Sequence, residues 1–547
     1  MIPSAIRRRD REVLLVLAIA ACVSVVPFSF YFHRGDILLY GDAVAHCNIA
    51  RRVFDSQTPG LLQLGTVWLP LPHLLMMPFL VSDWAWRTGF GGALPSLFAY
   101  VLSVVGVFRL VRSALRLHAE PDPHMRTAAW IAAGIFALNP NLIYLQATPM
   151  TEALYLALLV WATAHFAEFV QAMPAGGMRA AQPSLTKCGL CIAGACLTRY
   201  DGWFLAAVIG IAGWLVVSHF TGRRDPLQRD LRKFFLLVSA VPVLWIGYNA
   251  VVYHNPLEFA NGPYSAKAIE RKTANPNTPP HPGTDNLPEA ASYFLKAAEV
   301  NLTESNWHRL WLLFAFLGMT TVLLFDRRLW PLLILWAPLP FYVLSIAYAG
   351  VPIFLPSWWP YSFYNVRYGV ELLPAIAVFV ALVAYWLMEF ARSVRARSII
   401  ITVTAVLVAL SYASVWYRQP ISYREAWVNS RSRIALESRL AARLQQLPND
   451  STILMYLGDH GGALQHASIP LRRVIYEGNH RTWKQPVDPE GLWERALANP
   501  SQYSDYVVAI NGDAVSRGAD LSSLAPVAEL EVPGQPRATI YKTRRQP

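Results

Sequence analysis

Runs of about twenty apolar residues recur along this chain, and nothing constrains its fold more. In hydrocarbon each backbone N–H and C=O must bond within the protein, so such runs cross a bilayer as helices. They fall at 13–32, 93–110, 130–145, 150–170, 185–197, 203–220, 234–253, 310–325, 329–349, 370–390 and 399–416, about eleven in all. The run at 70–81 is short and bounded by proline, which reads as an interfacial or re-entrant piece. Composition agrees: 54% of the 547 residues are hydrophobic and only 15% charged.

Orientation follows from Lys and Arg, which stay on the cytoplasmic side. Arg7, Arg8, Arg9 and Arg11 precede the first run, which is longer than a signal-peptide core and lacks a small-residue cleavage site; it reads as an uncleaved first helix. With the N-terminus inside, Arg109, Arg112 and Arg116, then Arg223, Arg224, Arg229, Arg232 and Lys233, then Arg327 and Arg328, then Arg392, Arg395 and Arg397 all fall on the inner side. The expected fold is therefore a polytopic α-helical membrane protein over 1–417, with outer loops at 33–92, 254–309 and 350–364. The net charge of +12 sits in these short clusters between apolar runs, a pattern of loops against anionic lipid and not of nucleic-acid binding.

From 418 to 547 the composition becomes that of a soluble α/β domain outside the membrane. An amphipathic helix spans 426–446, and strand-like runs follow at 452–457, 473–476, 506–510 and 539–541. The five cysteines (Cys22, Cys47, Cys188, Cys191, Cys196) form no disulfide framework, and Cys188 and Cys191 read as buried thiols at helical spacing. Gly458-Asp459-His460-Gly461-Gly462 with His466 lacks a third metal ligand at a usual spacing and reads as a turn or a partner-binding segment.

On this topology Asp42, Glu152, Arg199, Asp201, Arg367 and Glu371 all lie at the outer ends of helices. Ionisable groups there are costly unless they pair, so they mark a candidate site. Asp42, near the N-cap of a helix over 42–55, either caps that helix or serves as a general base; His46, one turn on, either orients it or fills space. Arg199 and Arg367 either grip a lipid phosphate through paired charge-assisted bonds or pair internally, Arg199 with Asp201 or Glu152 and Arg367 with Glu371. Tyr264, Lys267 and the Trp358-Trp359 pair are candidates for closing over a substrate or for anchoring at the interface.

Taken together, Tyr40-Gly41-Asp42, Trp68-Leu-Pro-Leu-Pro-His73-Leu-Leu, Asn139-Pro140 through Thr151-Glu152, Leu197-Thr198-Arg199-Tyr200 and Arg367-Tyr368 through Leu373-Pro374 resemble the GT-C superfamily of polyprenyl-phosphate-sugar glycosyltransferases. The resemblance is in particular to the branch related to the protein O-mannosyltransferases and the lipid A aminoarabinose transferase. The resemblance covers about 13–390 and implies an enzyme that transfers a sugar, with inversion, from a polyprenyl phosphate to a lipid, glycan or protein acceptor. It implies Asp42 as the catalytic carboxylate, Glu152 as a second acid of the outer cleft, and Arg199, in the segment with Tyr200, and Arg367 as the residues that contact the lipid-linked phosphate; His46, Tyr200, Tyr264 and Lys267 complete the candidate site from the reading of the residues themselves. It also implies an integral protein of a bacterial inner or cell membrane with its site on the outer face. Many members carry two adjacent acids in the first loop, whereas here Ala43 and Val44 follow Asp42, so no metal and no cofactor is expected. The rival readings are a lipid-linked substrate transporter or flippase, expected to show inverted halves with helices broken at the midplane, and a catalytically silent scaffold.

Overall fold

The computed structural model describes residues 4–115, 123–173, 178–220, 226–273, 279–480 and 491–543. Arg116, Arg223 and Arg224 lie outside the described residues, as do the side chains of Arg7, Arg8 and Arg9. Among the described residues eight helices are long and apolar enough to cross a membrane, and nine if one bent pair counts as a single span. That is fewer than the eleven expected, for physical reasons. The stretch 185–197 belongs to helix Met178–Cys196, which carries Arg179, Gln182 and Lys187, and helix His308–Leu324 has only 17 residues. The bent pair is Pro123–Ala137 and Pro140–Gln146, which meet at 62°. Pro140 cannot continue the hydrogen-bond ladder, and the Asn139 side chain caps the second piece by accepting from the N–H groups of Asn141 and Leu142, both at 3.0 Å.

The 70–81 run is not a span. It forms helix Leu71–Met76 and a 3-10 turn, Met77–Phe79. Met76 and Leu80 from this segment, with Cys47, Ala50 and Trp86, share a core with the C-terminal domain. That domain begins on helix Ile421–Leu444, whose first turns pack Ile421, Tyr423 and Ala426 into the core of the membrane helices. Leu436, Leu440 and Leu444 further along support a sheet instead.

The sheet has five strands, β1 (Ile453–Met455), β2 (Val474–Ile475), β3 (Tyr506–Ile510), β4 (Ala525–Leu530) and β5 (Ala538–Lys542), in the order β2-β1-β3-β5-β4. β1 runs parallel to β2 and β3, and β5 runs antiparallel to β3 and β4. Along β3, Tyr506, Val508 and Ile510 face the helix and the loop at 33–92, while Val507 and Ala509 pack against Trp493 and Val515. A strand covered on both faces reads as a continuous apolar run, which is why β3 was visible in the sequence.

The loop at 33–92 and the domain are tied by polar contacts as well. Tyr476 hydroxyl bonds Ser56 at 2.7 Å, Asn479 donates to Thr58 at 2.8 Å, and Arg472 pairs with buried Asp55 at 3.1 Å. This clamp holds helix Gly41–Arg52, and with it Asp42, against the rest of the protein.

Candidate active site

Four separate segments end at one point. Asp42 lies in the first turn of helix Gly41–Arg52, two residues past the N-cap position, which Tyr40 occupies without a side-chain capping bond. Its carboxylate is thus not spent on capping. Glu152 opens helix Glu152–Ala172, where the unbonded N–H groups of a first turn favour a negative charge. Arg199 sits in the turn between Met178–Cys196 and Asp201–Phe220. Gly202 closes that turn: a Cβ there would lie 2.4 Å from the Ala195 carbonyl oxygen, so only glycine lets the two backbones meet and present Arg199. Arg367 and Glu371 lie on the 3-10 turn Val366–Leu372 that leads into Leu373–Phe390.

Arg367 is buried and donates to three carboxylates: through Nε to Glu152 at 3.0 Å, through Nη1 to Glu425 at 3.1 Å and through Nη2 to Asp42 at 2.6 Å. Arg199 donates through Nε to Asp201 at 3.1 Å and forms an ion pair through Nη2 with Glu371 at 3.1 Å; its Nη1 bonds the Thr151 hydroxyl at 3.0 Å and lies 3.7 Å from Glu152. Tyr342 joins the second group, its hydroxyl 2.7 Å from both Arg199 Nη2 and Glu371 Oε1. The Tyr368 ring lies 5.0 Å from each guanidinium, and Tyr40 lies 4.8 Å from Arg367. Glu152 bridges the two halves.

Three features of this cluster set its chemistry. Five carboxylates face two guanidiniums, so the cluster has no spare positive charge. The carboxylates of Glu152, Asp201, Glu371 and Glu425 are 0–2% exposed, whereas the Asp42 side chain is 42% exposed. Asp42 is therefore the one member of the cluster whose carboxylate is open to solvent. Finally, every carboxylate is turned toward an arginine, and among the described residues no group of three His, Cys, Asp or Glu side chains is arranged to hold a metal ion.

The pairings differ in part from those open in the sequence. Arg199 takes both Asp201 and Glu152, but Arg367 pairs with Asp42, Glu152 and Glu425 and leaves Glu371, its neighbour on the turn, to Arg199. A 3-10 turn sends positions four apart in different directions, so the helical spacing was misleading. His46 does not bond Asp42. Its Nδ1 meets His73 Nε2 at 2.9 Å, and its ring packs 4.9 Å from Trp68. Burial pushes the His46 imidazole down to about 4, against the pull of the Asp42 and Glu152 carboxylates, and holds His73 well below the usual range. Both rings are neutral at pH 7, one donating to the other.

Tyr200, Tyr264 and Lys267 lie outside the cluster. Tyr200 donates to the Val67 carbonyl at 3.1 Å and stacks on Phe259 at 4.9 Å, which ties the first loop to the helix 201–220 region. Tyr264, 43% exposed, hydrogen-bonds Tyr456 of the C-terminal domain. Lys267 is exposed on the short helix Ala266–Thr273, beside Gly350. The Gly458–Gly462 segment is a turn against the first-loop helix, with Gly461 near the Asn48 side chain. Glu425 and Tyr342 are the residues that sequence reasoning missed. Glu425 also accepts from the backbone N–H groups of Asn365, at 3.0 Å, and Arg367, at 3.3 Å, and so fixes the turn that carries Arg367.

No family model matches the chain and no curated protein sequence matches it. Solved structures do. The fold is similar to that of ArnT from Cupriavidus metallidurans bound to undecaprenyl phosphate, at a TM-score of 0.58 and 14% identity over 97% of both chains. The apo state of the same ArnT, an aminoarabinose transferase, gives a TM-score of 0.54 at 14% identity over 98% of both. The described residues thus share the polytopic helical fold of that structure, C-terminal domain included.

Proposed function

We propose that this protein is a membrane glycosyltransferase that moves a sugar from a polyprenyl-phosphate donor to an acceptor hydroxyl or amine, with Asp42 as general base. The observation that carries the reading is the contact of the one exposed carboxylate, Asp42, with buried Arg367 at 2.6 Å. A base and an anion-binding group are thereby held side by side. A lipid phosphate and an acceptor meeting there would bring the nucleophile, the sugar C1 and the leaving group into one small space.

The donor phosphate takes the Asp42 position on Arg367. Because five acids already surround two arginines, a further anion enters only if a carboxylate withdraws, and Asp42 is the one with room to move. Released, Asp42 accepts the proton of the acceptor O–H or N–H. The acceptor atom then bonds to sugar C1 from the face opposite the phosphate, the C1–O bond breaks, and its electron pair leaves on the polyprenyl phosphate. Arg367, released from the Asp42 carboxylate, stabilises that charge in a site poor in water. Attack opposite the leaving group inverts C1. ArnT is described bound to undecaprenyl phosphate, which supports a lipid phosphate as the donor's carrier.

The test uses the purified full chain in vesicles, polyprenyl-phosphate-linked hexoses and pentoses, and an envelope extract as acceptor source. Release of polyprenyl phosphate that needs both the extract and Arg367 is the expected result. No release from any donor contradicts the reading.

A further inference from the structure

Helix Leu373–Phe390 starts beside Arg367 and Glu371 and runs 18 residues, about 27 Å, to the opposite face of the membrane. Helix His308–Leu324 packs against it so tightly that a Cβ on Gly318 would lie 2.4 Å from the Phe379 carbonyl oxygen. Beyond that contact, toward Leu324 and Phe390, the two helices bound a groove of about 930 Å³. Leu317, Thr321, Val383, Trp386 and Leu387 wall it, and Asp326, Arg327 and Arg328 stand at its mouth. Phe325 and Phe390 flank the mouth and are each 82% exposed.

We propose that this groove binds one anionic two-chain phospholipid of the leaflet opposite the candidate active site, with its phosphate on Arg327 and Arg328. The walls from Val383 to Phe390 extend seven residues, about 10 Å, which matches the upper part of one leaflet of a hydrocarbon core about 30 Å thick. Trp386 lies where an indole favours the headgroup boundary. Charge selects the headgroup. Arg327 and Arg328 outnumber Asp326, and Arg392 and Arg395, exposed just past Phe390, outnumber Glu389. A phosphate is attracted to such a cluster, and an ammonium headgroup is repelled by it. The exposed phenylalanines at the mouth would lie against the acyl chains. The inference is independent of sugar transfer, since the groove lies a full membrane thickness from Asp42.

The test is native mass spectrometry of the full chain in detergent, titrated with dioleoylphosphatidylglycerol or dioleoylphosphatidylcholine. One tightly retained phosphatidylglycerol is expected, with at least fivefold preference over phosphatidylcholine. The double change Arg327→Ala, Arg328→Ala abolishes that preference while undecaprenyl phosphate binding at the other face persists. If that variant fails to fold, Leu387→Trp, which fills the groove and leaves the arginines, displaces the lipid instead. Equal binding of the two lipids by the wild type overturns the proposal. So does a preference that survives the double arginine change, or that survives groove filling.

Discussion

Replacing Asp42 with asparagine should tighten the binding of a polyprenyl phosphate even as it removes the base. In the resting cluster the Asp42 carboxylate occupies Arg367 Nη2 at 2.6 Å, and a donor phosphate must displace it. The cost of that displacement follows from the contact. Two unit charges about 4 Å apart attract by about 4 kcal/mol at an effective dielectric of 20 and about 1 kcal/mol in water. With the Asp42 side chain 42% exposed, solvent screens the pair toward the lower figure. A discounted value of about 1–2 kcal/mol corresponds to a factor of about 5–30 in affinity. Asparagine keeps the shape and can still accept a hydrogen bond, but it no longer competes as an anion. Titrating undecaprenyl phosphate into the wild type and into Asp42→Asn, followed by tryptophan fluorescence or native mass spectrometry, reads the difference. Equal or weaker affinity in the variant would refute the exchange of phosphate for carboxylate. Failure of both proteins to bind the lipid would instead sink the donor assignment.

Other consequences can be checked separately. Glu425→Ala leaves Arg367 without one buried counter-charge and the Asn365–Arg367 turn without its acceptor, and should cost about 3–5 kcal/mol of stability; a melting temperature unchanged from wild type would show that Glu425 does not hold the turn. His46 makes stability depend on pH in one direction. Its folded pKa, about 4, lies below its unfolded value near 6.5, so the unfolded chain binds the proton more readily, and stability is full above pH 6.5 and lost as pH falls toward 4. Between pH 7 and 5 His46 alone should account for a loss of about 2 kcal/mol, with buried His73 adding to it in the same direction, and His46→Asn should make the profile less steep; an equally steep profile in that variant would place the titration elsewhere. Gly202→Ala should disturb the Arg199 turn, because the new Cβ meets the Ala195 backbone. A loss of lipid-phosphate affinity greater than any loss of thermal stability is expected, and an unaffected affinity would show that the turn can relax.

The membrane architecture was legible because hydrocarbon leaves a chain so few options: an apolar run of twenty residues is a helix or nothing. Asp42, Glu152, Arg199 and Arg367 stood out for the same reason, since a charge at the end of such a run needs a partner. Which partner it takes is a three-dimensional matter. Arg367 and Glu371 are spaced as a helical pair, yet the 3-10 turn parts them. Glu425 was hidden because it follows the last apolar run, in a helix whose later turns read as amphipathic and soluble; only the fold shows that its first turns enter the membrane core. Tyr342 lies inside an apolar stretch where a hydroxyl gives no signal. Strand β4 escaped for a local reason. It lies at the sheet edge, is exposed along most of its length, and carries Pro526 at a register shift, so neither alternation nor a continuous apolar run marks it.

Sugar transfer itself is the sharpest test. Full-length protein is reconstituted with a labelled polyprenyl-phosphate sugar and an acceptor preparation, and labelled product is followed for wild type and Asp42→Asn, with undecaprenyl phosphate binding measured on the same samples. Transfer by the wild type, with loss of at least about a hundredfold in a variant that still binds the lipid, is the predicted result and is within the range that a positioned general base contributes. Full transfer by Asp42→Asn would contradict it.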